Sequence, residues 1–136
     1  MPKRFISLLI ALIAICSICC FSVNASDLIS IKYSYTKSVS SIISVTGTTA
    51  TAISTAVGYN GETTKIVIKQ TLQKKNSIGT WTSLSTNSET FKSYKAVLSK
   101  KYTGLYKGTY RVKSVFTVYA GNNSETITKY STEENV

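Results

Sequence analysis

The stretch from Lys107 to Tyr119, K-G-T-Y-R-V-K-S-V-F-T-V-Y, constrains the fold of this chain more than any other part of its sequence. Successive side chains point to opposite sides of a strand, so every second residue shares a face. One face would carry Tyr110, Val112, Ser114, Phe116 and Val118. The other would be half polar, with Arg111, Lys113, Val115, Thr117 and Tyr119. This alternation predicts the central strand of an all-β sandwich, with one face in the core.

A glycine stands two residues before the first inward tyrosine of this strand. Gly108 provides the tight entry that a strand rising from a corner needs. A tyrosine at the start of strand F in immunoglobulin-like sandwiches returns its hydroxyl to the backbone. We therefore expect Tyr110 to be buried and hydrogen bonded to a main-chain carbonyl.

The N-terminal segment has the pattern of a secretory signal peptide. Lys3 and Arg4 precede an uncharged run over 5–21, and small residues end the segment at Ala25. We predict a signal peptide over 1–25, cleavage after Ala25, and a secreted domain over 26–136. The alternative is a retained anchor, because the apolar run approaches the roughly 17 residues that span a bilayer.

Cysteine and histidine usage limits the chemistry of the exported part. All three cysteines, Cys16, Cys19 and Cys20, lie in the leader, and no small residue precedes any of them, which argues against lipid attachment. The exported part therefore has no disulfide, no thiol or imidazole metal ligand, and no familiar pair of nucleophile and histidine base. We predict a single domain, stabilised by its core, that is not an enzyme and holds no cofactor or metal.

Turn residues and alternation elsewhere predict six further strands, which gives a seven-stranded immunoglobulin-like antiparallel sandwich. Gly47 is interpreted as a bulge, Asn87-Ser88-Glu89 as a break, and 132–136 as a frayed tail. Trp81 is expected either to cap the core edge or to lie exposed. The predicted strands cover 29–36, 46–57, 64–75, 80–84, 90–98, 107–119 and 126–130.

Short segments spread along the chain resemble a family of small secreted domains of unknown function from Gram-positive bacteria. They are Val57-Gly58-Tyr59-Asn60-Gly61, Leu72-Gln73-Lys74-Lys75, Gly79-Thr80-Trp81, Lys107-Gly108-Thr109-Tyr110-Arg111-Val112, Val118-Tyr119-Ala120-Gly121 and Glu125-Thr126-Ile127-Thr128-Lys129. The resemblance implies an immunoglobulin-like sandwich and export, and it implies no activity.

The charge balance favours an anionic partner. The chain carries 16 basic and 6 acidic residues, and loss of Lys3 and Arg4 leaves fourteen against six, a net charge of +8. The predicted topology collects six lysines into a basic pole, opposed only by Glu133 and Glu134. This pole favours docking to phosphate-rich wall polymers or an anionic membrane, at about 1 kcal/mol per lysine. Its lysines are Lys37, Lys74, Lys75, Lys100, Lys101 and Lys107.

One alternative to docking remains open for these lysines. The lysines also suit the protection of sheet edges. Nucleic acid is not expected as a partner, because the sequence shows no array of basic and aromatic residues on one platform.

The opposite end of the predicted sandwich brings three carboxylates together. Glu62, Glu89 and Glu125 would lie there beside Tyr59, Asn60, Tyr119, Asn122 and Asn123. Such a cluster fits a shallow sugar or peptide site, a loose calcium site, or an ordinary polar loop surface. A glycosidase would need two of these carboxylates about 5–10 Å apart.

Together these patterns predict a secreted, non-catalytic binding or surface-interaction protein associated with the anionic cell envelope. The alternatives are a small enzyme acting on wall sugars through Glu62, Glu89 or Glu125, and a secreted protein antagonistic to other cells.

Overall fold

The computed structural model describes residues 32–136, and the predicted all-β sandwich of two antiparallel sheets is confirmed there. The predicted signal peptide and the first residues of the first predicted strand lie outside the described residues. No helix in the described part is long and apolar enough to cross a membrane. The strands are β1 (Thr36–Thr46), β2 (Thr49–Gly58), β3 (Lys65–Lys75), β4 (Trp81–Phe91), β5 (Lys95–Tyr102), β6 (Thr109–Ala120), β7 (Asn123–Tyr130) and β8 (Glu134–Asn135).

The strands form a smaller sheet, β1-β2-β5, and a larger sheet, β4-β3-β6-β7, in which β8 also pairs with β6. Every pairing is antiparallel. The β2–β3 loop, the β4–β5 turn and the β6–β7 turn therefore share one end of the sandwich, the β2–β3 end. The β1–β2, β3–β4 and β5–β6 connections share the other, the β3–β4 end.

Strand β6 is central, as its alternation predicts, and it pairs with β3 on one side and β7 on the other. Its five inward side chains, Tyr110 to Val118 in steps of two, are all buried. The Tyr110 hydroxyl donates a 2.6 Å hydrogen bond to the carbonyl of Tyr106, which confirms the expected return to the backbone. A Cβ on Gly108 would lie 2.5 Å from Lys74 Cε, so glycine permits the close entry of this strand.

The core consists of two hydrophobic clusters separated by a polar layer. Near the β2–β3 end the cluster includes Ile66, Ile68, Phe116 and Val118. Near the β3–β4 end it is built from Ile43, Ala50, Ala52, Leu72, Tyr110 and Val112. Between them, the side chains of Ser41, Ser54, Gln70 and Ser114 are hydrogen bonded to one another, so the two sheets are joined by polar contacts as well as by apolar packing.

The first hairpin differs from the prediction. Residues Thr36–Thr46 form β1, which fills the gap between the predicted strands over 29–36 and 46–57, a gap interpreted as a turn that begins at Lys37. Gly47, with φ of 59°, is a turn residue between β1 and β2 rather than a bulge. Serines and threonines give β1 a weak apolar alternation, which hides it in the sequence.

The middle of the chain also differs. Strand β4 continues to Phe91, so the predicted break at Asn87–Glu89 is wrong. The predicted strand over 90–98 combines the end of β4, at Phe91, with the start of β5, which contains Ala96 and Leu98. Register shifts lie between Leu72 and Gln73, where β4 carries an extra residue, and between Thr36 and Ser38 of β1.

The C-terminal residues are paired rather than frayed. The two residues of β8 pair with Thr109 and Tyr110, which raises the number of strands to eight. Main-chain hydrogen bonds also join Gly108 and Val136 in both directions.

Candidate functional site

Five cations lie on the outer face of the larger sheet. Because Ile66, Ile68 and Leu72 of β3 are buried, the odd-numbered residues of β3 point away from the core, and the same holds for the odd-numbered residues of β6. These outward positions include Lys65, Lys69, Lys75, Arg111 and Lys113, which we call the basic face.

The cations of the basic face follow the paired strands β3 and β6. Lys65 pairs with Tyr119 at one end, Lys69 with Val115 in the middle, and Gln73 with Arg111 near the other end. At about 3.4 Å per residue, the cations form a track roughly 34 Å long, with about 14 Å between Lys65 and Lys69 and about 7 Å between the later positions. A straight track of this kind matches a linear polymer better than a compact ligand.

No carboxylate occupies an outward position of β3, β4, β6 or β7. Thr86, Ser88 and Thr90 point outward from β4, and Ser124, Thr126 and Thr128 from β7. Hydroxyl groups therefore flank the cations on both sides, and they can donate to or accept from a polar ligand. The face attracts anions, and the outward positions of these four strands carry no charge that repels them.

Aromatic rings hold the side chain of Arg111. Its guanidinium carbon lies 4.1 Å from the ring centroid of Trp81 on β4 and 4.2 Å from that of Tyr130 on β7. A planar guanidinium stacks well on aromatic faces, and such contacts contribute about 0.5–1 kcal/mol when exposed. Trp81 is therefore half-buried against Arg111, and neither of the two predicted positions for it is correct.

Hydrogen bonds complete the support of Arg111. Its Nε donates to Oε1 of Gln73 at 2.9 Å, and Nε2 of Gln73 donates to the Ser83 hydroxyl at 3.3 Å. The chain of contacts Ser83–Gln73–Arg111 crosses three neighbouring strands. The guanidinium is thus fixed in position before any ligand arrives.

A shallow depression lies beside this group, between Lys69 and Lys113. Its volume is about 220 Å³, and its floor is formed by Thr71 and Thr86, whose hydroxyls are 2.9 Å apart. Ser83 and Val115 complete the lining. The depression has the size for one small anionic group flanked by two ammonium groups.

The two ends of the basic face differ in their surroundings. Lys65 Nζ lies 4.0 Å from the centroid of the Tyr119 ring. Lys75 Nζ lies 3.1 Å from Oε2 of Glu133, the one ion pair within residues 32–136. Glu133 therefore offsets part of the positive charge at the Trp81 end.

The predicted basic pole is assembled in part. Lys74 and Lys75 end β3, and Lys107 belongs to the β5–β6 connection, all at the β3–β4 end. Lys100 and Lys101 lie on β5 rather than in that connection, opposite Ala52 and Thr51.

Lys37 is a correction to the predicted pole. It lies at the start of β1, beside the Thr36–Gly58 pair, and so belongs to the β2–β3 end. The reason is that β1 begins where the sequence analysis placed a turn, which moves Lys37 to the opposite end of the sandwich. Lysines and glutamates are consequently mixed at the β2–β3 end.

The three glutamates lie at or near the β2–β3 end in different settings. Glu62 is in the β2–β3 loop, Glu89 lies within β4 opposite Ile68, and Glu125 lies on β7 opposite Val118. The Glu125 carboxylate accepts hydrogen bonds from the backbone amides of Ser34 and Tyr35, at 2.9 and 2.7 Å. It therefore fixes the segment before β1.

The other residues predicted for this end occupy the β2–β3 loop and the β6–β7 turn. Tyr59 and Glu62 line an open depression of about 370 Å³ with Lys32, Tyr33 and Ser34. Asn60 and Asn122 are exposed turn residues, and Tyr119 contacts Lys65 instead. Among residues 32–136, no three acidic side chains come together as metal ligands would.

Comparison with known proteins returns no matching family model and no significant match among curated sequences. The resemblance to secreted Gram-positive domains stays a prediction. The ligand proposed below therefore rests on the residues of the chain's own surface.

Sequence analysis missed the basic face, although part of the signal was present. The outward phase of Arg111 and Lys113 is readable from β6, and that of Lys65 and Lys69 from the buried isoleucines beside them. What the sequence lacks is the register that places β3 beside β6 and brings Trp81 and Tyr130 to Arg111. The larger sheet therefore carries a platform of basic and aromatic residues, which was not recognised in the sequence.

Proposed function

We propose that this chain is a secreted, non-catalytic binding protein that holds linear anionic polymers of the cell envelope on the basic face of an immunoglobulin-like domain. The observation that carries the proposal is the row of five cations along β3 and β6, with no carboxylate on the outward positions of the larger sheet. Export is proposed from the leader sequence at 1–25.

The immunoglobulin-like assignment is supported by two features. The orders β1-β2-β5 and β4-β3-β6-β7 correspond to strands A-B-E and C′-C-F-G of such domains. The hydrogen bond from Tyr110 to the Tyr106 carbonyl corresponds to their tyrosine corner.

A non-catalytic role is supported by the residues available. The exported part has no histidine or cysteine, and the carboxylate of Glu125 is engaged by two backbone amides. The basic face is open and shallow, as suits a surface that retains a polymer rather than one that encloses a reacting bond.

Salt dependence tests the proposal. For single-stranded polyanions the logarithm of affinity falls with the logarithm of salt concentration by about 0.7 per neutralised charge. With Lys75 paired to Glu133, the remaining four cations predict a slope of about −3 for linear polyphosphate. Retention on isolated cell walls should be released by salt in the same range.

Charge reversal locates the surface. The double variant Lys69→Glu/Lys113→Glu should lose most of its affinity for linear polyphosphate and for cell walls. The matched control Lys100→Glu/Lys101→Glu changes the net charge equally on another surface and should retain most of the binding. Equal losses would show that net charge alone drives binding, and no binding by the unmodified protein at low salt would disprove the proposal.

A further inference from the structure

Arg111 differs from the other cations of the basic face because its conformation is already fixed. Among the described residues it is the only cation stacked between two aromatic rings, those of Trp81 and Tyr130. Gln73 accepts from its Nε at 2.9 Å. The lysines on either side are flexible ammonium groups with at most one ring contact each.

The arrangement leaves part of Arg111 available to a ligand. A guanidinium carries five N–H donors, of which Nε supplies one. That donor is the only one of the five in a hydrogen bond with residues 32–136. The four donors on the two terminal nitrogens form the fork that pairs with two oxygens of one phosphate or carboxylate.

The surroundings favour a phosphate within a chain of phosphates. The depression between Lys69 and Lys113 lies next to Arg111 along the strands. Thr71, which lines the depression, pairs with Lys113, and the next outward pair is Gln73 with Arg111. Successive anionic groups at steps of about 7 Å would therefore meet Arg111 and then the lysines. The hydroxyls of Thr71 and Thr86 are bonded to each other, which leaves one of their two O–H groups as a neutral donor for a phosphate oxygen.

We propose that Arg111 is the recognition residue of the basic face and binds one phosphate of a linear phosphate polymer through its two terminal nitrogens. Trp81 and Tyr130 hold the guanidinium in place, and the lysines bind the neighbouring phosphates by charge alone. This inference rests on the proposed function, since it assigns the ligand class and the selective contact of the same face.

The protein contains its own reporter for this contact. Trp81 is the only tryptophan of the chain, and its ring is one of the two on Arg111. Titration of the protein, produced from its full-length sequence, with linear polyphosphate at constant ionic strength should therefore change the tryptophan emission in a saturable way.

A charge-conserving substitution of Arg111 separates its bidentate contact with phosphate from general electrostatic attraction. Arg111→Lys keeps the charge but lacks the fork, and we expect about tenfold weaker binding of polyphosphate, the loss of one charge-assisted hydrogen bond. The matched control is Lys100→Arg on β5 of the smaller sheet, which also keeps the charge and should bind within about twofold of the unmodified protein. Tyr130→Leu keeps Arg111 and removes one supporting ring, so its affinity should fall between those of the other two variants.

The outcomes are distinct. If the unmodified protein binds and Arg111→Lys matches Lys100→Arg, the inference is wrong while the proposed function stands. If Arg111→Lys fails to fold, Tyr130→Leu decides, and unchanged affinity there disproves the inference. No binding of polyphosphate by the unmodified protein defeats both proposals.

Two further polymers test the ligand class. Polyglutamate matched in charge to the polyphosphate should bind more weakly and depend less on Arg111, whereas single-stranded oligothymidylate, which also carries phosphates, should bind no more tightly than the polyphosphate. Equal Arg111-dependent binding of polyglutamate would overturn the assignment to phosphate. Tighter Arg111-dependent binding of the oligonucleotide would identify a nucleic-acid surface instead.

Discussion

The hydroxyl oxygens of Ser54 and Ser114 lie 2.7 Å apart and join the two sheets through the middle of the core. Ser54 is on β2 in the smaller sheet, and Ser114 is on β6 in the larger one. Ser114 also bonds the Ser41 hydroxyl at 2.8 Å, so it is shared by two strands of the opposite sheet.

Ser114→Ala should lower the free energy of unfolding by about 1–3 kcal/mol, because it leaves the hydroxyl of Ser54 without one of its partners inside the core. Urea denaturation measures the change. Ser99→Ala, on an exposed position of β5, is the control and should stay within about 0.5 kcal/mol of the unmodified protein. Equal effects of the two substitutions would show that the buried layer adds nothing.

Tyr110→Phe should cost about 1 kcal/mol of stability, since it removes the hydrogen bond to the Tyr106 carbonyl without changing the ring. The control uses the other partner of this bond. The Tyr106 side chain is 83% exposed and contributes only its main-chain carbonyl, so Tyr106→Phe should have almost no effect on the urea midpoint. A larger loss for Tyr106→Phe than for Tyr110→Phe would contradict the assignment.

Tyr102 should make stability depend on pH in the alkaline range. Burial raises the pKa of Tyr102 above its ordinary value of 10.0, and the hydrogen bond from Asn87 only partly opposes this. The folded state therefore holds the phenol proton more tightly than the unfolded state. Its contribution is complete below pH 10 and is lost as the pH rises through the folded-state pKa.

Comparison with Tyr102→Phe isolates this contribution, because the other tyrosines and the lysines titrate in both proteins. The difference in unfolding free energy, unmodified minus variant, should fall between about pH 9 and 11. A difference that is constant or rises with pH over this range would rule out the raised pKa.

Glu133→Gln should strengthen the binding of linear polyphosphate, because it frees Lys75 from its 3.1 Å ion pair and adds a cation to the basic face. The salt slope should steepen by about 0.7, while stability changes by less than about 1 kcal/mol, as for an exposed pair. Glu62→Gln gives the same change in net charge at the β2–β3 end and serves as control. If both variants gain equally, the local role of Glu133 is refuted.

Sequence patterns located those strands in which apolar and polar residues alternate strongly. In β6 and β3 buried side chains such as Phe116 and Ile68 recur at every second position. Both strands were placed within two residues of their bounds. The hairpin at Asn76–Gly79 was placed from its turn residues.

Strands at the sheet edges were misplaced for a physical reason. β1 and β4 each pair with one neighbour and leave most of their side chains exposed, so serine and threonine suffice there. Such strands have little apolar alternation for a sequence pattern to detect. Their position is set by pairing with β2 and β3, which are better marked.

The candidate site was harder to predict than the fold. Arg111, Trp81 and Tyr130 come from three strands, and their meeting depends on the register of β4, β3, β6 and β7 together. Charge counts predicted an anionic partner, but they directed attention to loop lysines rather than to the sheet face.

The polar layer in the core also has a consequence for how the sheets align. Two sheets that met only through alanine, valine and isoleucine could slide past one another at modest cost, since apolar contacts are not directional. A slide of two residues here would set the hydroxyls of Ser54 and Ser114 against hydrocarbon and leave them without partners. The layer therefore favours a single alignment of the two sheets, whereas the row of cations depends only on the pairing of β3 with β6 inside the larger sheet.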